Sequence, residues 1–327
     1  MKFGIIGTNF VSDYFMSGAL ECPDCEVVAV SATSLEKANN FADKYAIPHR
    51  FDNYEKMAEA GVIDAVYVAT PNGKHLAHSK FFLERKIPVF CEKPLAGNLK
   101  EVEEMIACAQ TNNTYLQEGL IPIYNPTFAA LQEARKALGP IRQVTLNFSK
   151  YSSRYDAYLA GENPTTFRSE LANGAIMDLG VYPIGLCVCL FGKPVKILSA
   201  SSLLETKADI SGTSIFGYDD FNVAISYSKA SDTENLSEIC GEAGIITIDV
   251  CSTLSNVYFI DRKTKEKTRI GGDLKPNFYY QIKDMIENIS NGLIESTRMT
   301  FEKSKAVHEA ITECRRQAGI VYPCDLD

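Results

Sequence analysis

The chain reads as fold class α/β: a doubly wound parallel sheet at the N-terminus, followed by an α+β domain on a large, mainly antiparallel open sheet. Three observations carry this. Through residue 121 short apolar strands alternate regularly with helical segments, the pattern of parallel strands joined by helical crossovers. Beyond residue 122 long alternating strands follow one another, joined by tight turns such as Gly241-Glu242-Ala243-Gly244, which indicates antiparallel pairing. The third is Lys93, in Glu92-Lys93-Pro94 directly after the apolar run Ile87-Pro88-Val89-Phe90-Cys91. A charge at the mouth of a buried strand is costly unless something uses it, and ligands of parallel α/β sheets bind beyond the carboxyl ends of strands; alone, such a lysine reads as a surface residue paired with Glu92 or another carboxylate.

Residues 2–6 form the first strand, 10–20 a helix and 26–31 a second strand. Residues 35–45 carry apolar side chains on one helical face, 63–69 is a buried strand centred on Val66 and Val68, and 76–85 is a helix. Strand 87–91, helix 100–111 and strand 115–117 complete the first layer, with right-handed crossovers placing helices on both faces. A helix over 127–137 ends at Gly139-Pro140. Strands follow at 141–149, 195–204, 221–228, 236–240, 245–250 and 257–261, and helices 276–290 and 300–317 close the chain. The domains are therefore 1–121 and 122–327, with the last helix packing back on the first domain.

Composition narrows the function classes. Of 327 residues 46% are hydrophobic and 23% charged, within the globular range. A net charge of −8 argues against nucleic acid, whose phosphates need a dense Lys/Arg surface. The longest apolar run, 181–191, carries Pro183 and Gly185 and is shorter than the about 20 residues that span a bilayer. The start, Met1-Lys2-Phe3-Gly4-Ile5-Ile6-Gly7, reads directly into a strand, so a cytoplasmic protein is expected. Most of the ten cysteines lie in apolar runs, as Cys91, Cys187 and Cys189 do, and are expected to be reduced. Cys22-Pro23-Asp24-Cys25 has redox-like spacing but neither the helix-start context of a redox pair nor a second ligand pair for zinc, so it reads as a turn and no metal is expected.

Strand one runs into Gly7-Thr8-Asn9-Phe10-Val11-Ser12. Set on the dinucleotide fingerprint, Gly7 takes the tight-turn position, Asn9 the second glycine and Ser12 the third, a partial match in front of a helix N-terminus that attracts phosphate. The end of strand two, Ser31-Ala32-Thr33-Ser34, has no carboxylate to bind ribose hydroxyls, and Lys37 lies one turn on. That combination leans toward NADP over NAD, although Lys37 reads equally as an exposed helix lysine. Ala69-Thr70-Pro71-Asn72 is a turn at a strand mouth, and His75 either caps that site or begins the next helix.

These motifs, with Glu92-Lys93-Pro94, Asn125-Pro126 and Gly174-Ala175-Ile176-Met177-Asp178-Leu179-Gly180-Val181-Tyr182-Pro183, resemble the glucose-fructose oxidoreductase, inositol dehydrogenase and rhizopine catabolism (Gfo/Idh/MocA) superfamily over nearly the whole chain. The resemblance implies an N-terminal Rossmann domain, a C-terminal α/β domain whose open sheet forms homodimers or homotetramers, and NAD(P)-dependent oxidation or reduction of sugars, polyols and related alcohols. It implies that Lys93 is the catalytic lysine, Asp178 the active-site aspartate and Tyr182 the acid/base, in the tyrosine branch that includes dihydrodiol and some pentose dehydrogenases. Gly7, Thr8, Asn9, Phe10, Ser31, Thr33, Ser34, Lys37, Thr70, Pro71, Asn72, His75, Glu92, Lys93 and Pro94 are expected around the cofactor. Asn125, Arg154, Tyr155, Tyr158 and Arg168 are candidates around the substrate and suit a solvated loop equally well.

The chemistry fits these residue types. Taking hydride from a carbinol carbon requires loss of its hydroxyl proton, so a tuned acid/base must touch that oxygen. Tyrosine alone is too weak an acid near neutrality, and an adjacent lysine cation favours its phenolate. On residues alone, Asp178 reads as a helix start and Tyr182 as a core aromatic. The competing expectation is a non-catalytic NAD(P)-binding sensor, which has no use for Lys93, Asp178 and Tyr182 together.

Overall fold

The computed structural model describes residues 1–234 and 236–326. Its helices are α1 (Phe10–Leu20), α2 (Leu35–Tyr45), α3 (Tyr54–Glu59), α4 (His75–Leu83), α5 (Leu99–Asn112), α6 (Ile121–Tyr124), α7 (Pro126–Ala134), α8 (Tyr155–Leu159), α9 (Val181–Phe191), α10 (Asn277–Ser290) and α11 (Phe301–Ala318).

The first sheet contains β1 (Lys2–Ile6), β2 (Glu26–Ser31), β3 (His49–Phe51), β4 (Ala65–Val68), β5 (Val89–Glu92) and β6 (Leu116–Gly119), in the order β3-β2-β1-β4-β5-β6. All its pairings are parallel. Its strands are buried almost end to end, as a sheet covered on both faces requires. The order reverses between β1 and β4, the switch point beyond whose carboxyl ends such sheets usually bind ligands.

The second sheet adds β7 (Ile141–Ser149), β8 (Lys196–Leu203), β9 (Asp209–Gly217), β10 (Asn222–Ser228), β11 (Ser237–Gly241), β12 (Gly244–Val250), β13 (Ser255–Asp261) and β14 (Lys267–Ile270), ordered β14-β13-β12-β11-β7-β10-β9-β8. β7 and β10 pair in parallel and the other neighbours are antiparallel. Helix α9 packs on β7 and β10.

Contacts divide the chain into a first unit of residues 1–96, 100–124 and 274–304, and a second of 97–99, 125–273 and 305–327. The sequence boundary at 121 therefore places α10 on the wrong side. Phe278 of α10 joins the aromatic cluster of Phe15, Tyr67 and Phe90, and a Cβ on Gly18 of α1 would lie 2.5 Å from the Tyr279 nitrogen. Only a glycine lets α1 and α10 meet this closely. The expected limit on apolar runs also needs correction. Ser169–Phe191 is long and apolar enough to cross a membrane by composition, with mean hydropathy 1.8 over an 18-residue window of which 72% is buried inside the protein, although left-handed Ala172 (φ +55°) interrupts the helix.

Candidate functional site

In the first unit the turn after β1 is built for close approach. Gly7 has φ +100°, and a Cβ there would lie 2.4 Å from the Ala69 carbonyl oxygen. Asn9 caps α1: its Oδ1 accepts from Val11 N at 2.9 Å and its Nδ2 donates to the same Ala69 carbonyl at 3.0 Å. A side chain in the second glycine position thus ties the β1 turn to the β4 turn and occupies one N–H at the helix start. Ser12 is buried and donates to the Gly7 carbonyl at 2.9 Å, so it packs where the fingerprint places its third glycine. Phe10 is exposed beside this turn. Backbone left accessible by a required glycine in front of a helix N-terminus fits a dinucleotide pyrophosphate.

The β2 end has no carboxylate among residues 31–34. Ser31 is buried and its carbonyl accepts from Gly7 N at 2.9 Å. Ser34 caps α2, and the exposed Lys37 ammonium donates to Thr33 Oγ1 at 3.2 Å.

Around β4 and β5 the polar groups are tied to one another. Thr70 Oγ1 lies 3.0 Å from His78 Nδ1. Burial pushes the His78 imidazole down to about 4. Pro71 and Asn72 form the turn that leads into α4. His75 is fully buried, with Nε2 2.8 Å from the Thr70 carbonyl and Nδ1 2.9 Å from the Pro94 carbonyl. The ring therefore joins the β4 and β5 turns, and His75 is the first residue of α4, the helix-start alternative of the sequence. Burial pushes its pKa down while the two carbonyls pull it up. Glu92 is also buried and accepts from Tyr67 Oη at 2.7 Å. Burial pushes its carboxyl up to about 7, against the pull of neighbouring Lys93 and of Tyr67. Lys93 is half-buried at the strand end, and the Lys93-Pro94 bond is cis.

In the second unit Asp178 and Tyr182 lie four residues apart, one turn, on a helix that begins with the π-helical turn Ile176–Gly180 and continues as α9. Such wide turns recur at functional sites. The Tyr182 ring meets Phe148 of β7 edge-on at 5.4 Å. Below the helix start, the buried Asp209 carboxylate accepts from Ile176 N at 2.7 Å. Burial pushes this carboxyl up to about 7, opposed by that bond and by Lys229.

Lys229 is a site residue that the sequence reading misses. It directly follows β10 in phase with the inward-facing Val223, Ile225 and Tyr227, and is buried with them. Its ammonium donates to Asp178 Oδ2 and to Thr166 Oγ1, and Thr166 donates to the same Asp178 oxygen at 3.2 Å. The readable signal is the phase: a lysine continuing an inward apolar alternation needs an acidic partner.

The weaker substrate candidates are mostly engaged locally. Asn125 is buried and caps α7, with Oδ1 accepting from Thr127 N at 2.8 Å and Nδ2 donating to the Thr253 carbonyl at 2.6 Å. Its side-chain oxygen and nitrogen thus both serve backbone. Arg168 pairs with Glu170 at 2.7 Å. Tyr155 stacks on Tyr158 and meets Phe167, and Arg154 lies on the exposed turn before α8.

Residues 1–120 match the family model described as oxidoreductase family, NAD-binding Rossmann fold, and residues 131–247 match the GFO/IDH/MocA C-terminal domain. The chain is 37% identical over 325 residues to scyllo-inositol 2-dehydrogenase (NADP(+)) IolU of Bacillus subtilis, covering 99% of both. It is 29% identical to trans-1,2-dihydrobenzene-1,2-diol dehydrogenase of Danio rerio, across 99% of each chain. KijD10, a 3-ketoreductase from Actinomadura kijaniata solved with NADP and TDP-benzene, has the same fold at TM-score 0.86 and 18% identity, covering 98% of this chain and 99% of that one. The chain belongs to the GFO/IDH/MocA oxidoreductase family. It is an NAD(P)-dependent oxidoreductase acting on CH–OH groups of small molecules.

Proposed function

We propose that this enzyme oxidises one hydroxyl of a trans-vicinal diol on a six-membered carbocycle, or reduces the matching hydroxyketone, with NADP preferred over NAD. Asp178 and Tyr182, one turn apart on one helix, carry the reading: two oxygen-bearing side chains at that separation suit two neighbouring hydroxyls. scyllo-Inositol, the substrate in the IolU name, has all its neighbouring hydroxyls trans, and the dihydrobenzenediol shares that unit.

The roles follow from the residue types. Tyr182 takes the proton of the reacting hydroxyl, Asp178 accepts from the neighbouring hydroxyl, and Lys93 is the catalytic cation of the nicotinamide end. When bound, the nicotinamide accepts or returns the hydride. Gly7, Thr8, Asn9 and Phe10 would hold its pyrophosphate, and Thr70 to Asn72 with Glu92 to Pro94 would line its nicotinamide end. Ser31, Thr33, Ser34 and Lys37 would face the ribose 2′-phosphate, where no carboxylate repels it. The ten free cysteines fit a reducing, cytoplasmic setting. Exposed Leu198, Leu203 and Ile215 on β8 and β9 support a homo-oligomer through the second sheet.

The test is turnover of scyllo-inositol, a trans-dihydrodiol and open-chain polyols with NADP+ and NAD+, for wild type, Lys93→Ala and Tyr182→Phe. Cyclic trans-diols should be oxidised best, with both variants at least 100-fold slower. NADP binding without Lys93-dependent turnover on any substrate would instead identify a sensor.

A further inference from the structure

We propose that Lys229 is a positioning residue of this reaction, a buried ammonium that fixes the orientation and the negative charge of Asp178. The inference rests on the role just given to Asp178. A lysine on the core face of a sheet is destabilising unless paired, because removing its charge from water is costly. Lys229 is 3% exposed, and its ammonium is spent on Asp178 Oδ2 and Thr166 Oγ1.

Its main chain is fixed on both sides. The Lys229 N–H donates to the Ile210 carbonyl at 2.8 Å, and its own carbonyl accepts from Ser152 N at 2.8 Å. The ammonium also lies 5.4 Å from the centre of the Phe167 ring, on the aromatic's favourable side for a cation. The lysine is thus anchored by β10 and its neighbours, while the Asp178 side chain remains 45% exposed. Here the cation is behind and the carboxylate in front, so Lys229 orients a group that still reaches solvent. It does so with an obligatory charge partner rather than a neutral donor, which holds Asp178 as an acceptor toward a substrate hydroxyl.

Lys229→Met fills the same space without the charge. With scyllo-inositol and NADP+ it should lower kcat 30- to 100-fold while the KM for NADP+ changes less than twofold. Asp178→Asn should lose a similar factor, and the double variant should be no more than threefold worse than the poorer single, because both changes remove one interaction. Multiplied losses in the double variant, or wild-type kcat in Lys229→Met beside an impaired Asp178→Asn, would overturn the inference. If Lys229→Met fails to fold, Lys229→Ala assayed with and without n-propylammonium replaces it, and recovery of kcat with the amine is the expected result; no recovery counts against the proposal. The crystal structure of the variant gives a reading independent of turnover: Asp178 should leave its present rotamer, and an unmoved carboxylate would overturn the role. Wild type inert toward scyllo-inositol would sink the substrate reading alone, leaving the rotamer of Asp178 to decide this one.

Discussion

Gly174 and Asp209 are a matched pair: a Cβ on Gly174 would lie 2.0 Å from Asp209 Oδ1. The buried carboxylate that receives the Ile176 N–H needs a residue without a side chain above it. The helix carrying Asp178 and Tyr182 therefore starts on an acid admitted by a glycine. Gly174→Ala should destabilise the protein by about 1–3 kcal/mol, the usual cost of overpacking, and lower kcat at least tenfold by tilting that helix. Urea unfolding with parallel kinetics checks this; unchanged values in both would exclude the pairing as a constraint.

Glu92 and Asp209 set a pH dependence. Burial raises each carboxyl to about 7, above the ordinary carboxylate range. The folded state therefore holds protons that the unfolded chain has released between roughly pH 4 and 7. Their contribution to stability is fully present below that window and falls as pH rises through it, by about 1.4 kcal/mol for each group over each pH unit crossed. Glu92→Gln and Asp209→Asn carry no such proton, so their thermal midpoints should fall less than wild type between pH 5 and 8. Parallel curves for wild type and both variants would show that neither carboxyl titrates in this range.

His75 links the β4 and β5 turns through the Thr70 and Pro94 carbonyls. A neutral imidazole has one N–H and satisfies one of these as a donor; a cation would satisfy both, and burial opposes it. His75→Leu keeps the bulk and leaves both carbonyls without a ring partner. We expect a loss of about 2 kcal/mol in stability and a several-fold fall in kcat, because Pro94 adjoins Lys93. A variant as stable and active as wild type would show the ring to be mere filler.

The parts of this molecule visible in the sequence are those whose physics is local. β1, α1, β2 and α2 begin and end where apolar periodicity places them. β3, three residues long, and the short α3 carry too little periodicity to stand out from a loop. β9 is hidden because Asp209–Gly217 is rich in Ser, Gly and Thr, which conceal its alternation. Gly212 in that strand leaves room for Tyr227, whose hydroxyl a Cβ there would approach to 2.3 Å. Lys229 escapes a reading of the sequence because its partner lies 51 residues earlier, on an element that the strand meets only in the folded sheet. The place of α10 in the first unit has the same origin, since Gly18 and Tyr279 are brought together by tertiary packing.

Nucleotide choice is testable at β2. The strand ends with hydroxyls where an NAD-selective site carries an acid, and the Lys37 ammonium beside Thr33 adds a positive charge. Thr33→Asp places a carboxylate where a 2′-phosphate would sit and should raise the KM for NADPH at least 30-fold while leaving that for NADH within threefold. Lys37→Ala removes attraction without adding repulsion, so its effect should be smaller, about three- to tenfold, and confined to NADPH. Because Lys37 is exposed, its contribution is screened by salt. The KM ratio between Lys37→Ala and wild type should therefore shrink from 20 mM to 500 mM salt, whereas a ratio indifferent to salt would point to lost packing rather than charge. Equal response of NADH and NADPH to Thr33→Asp would remove the basis for an NADP preference altogether.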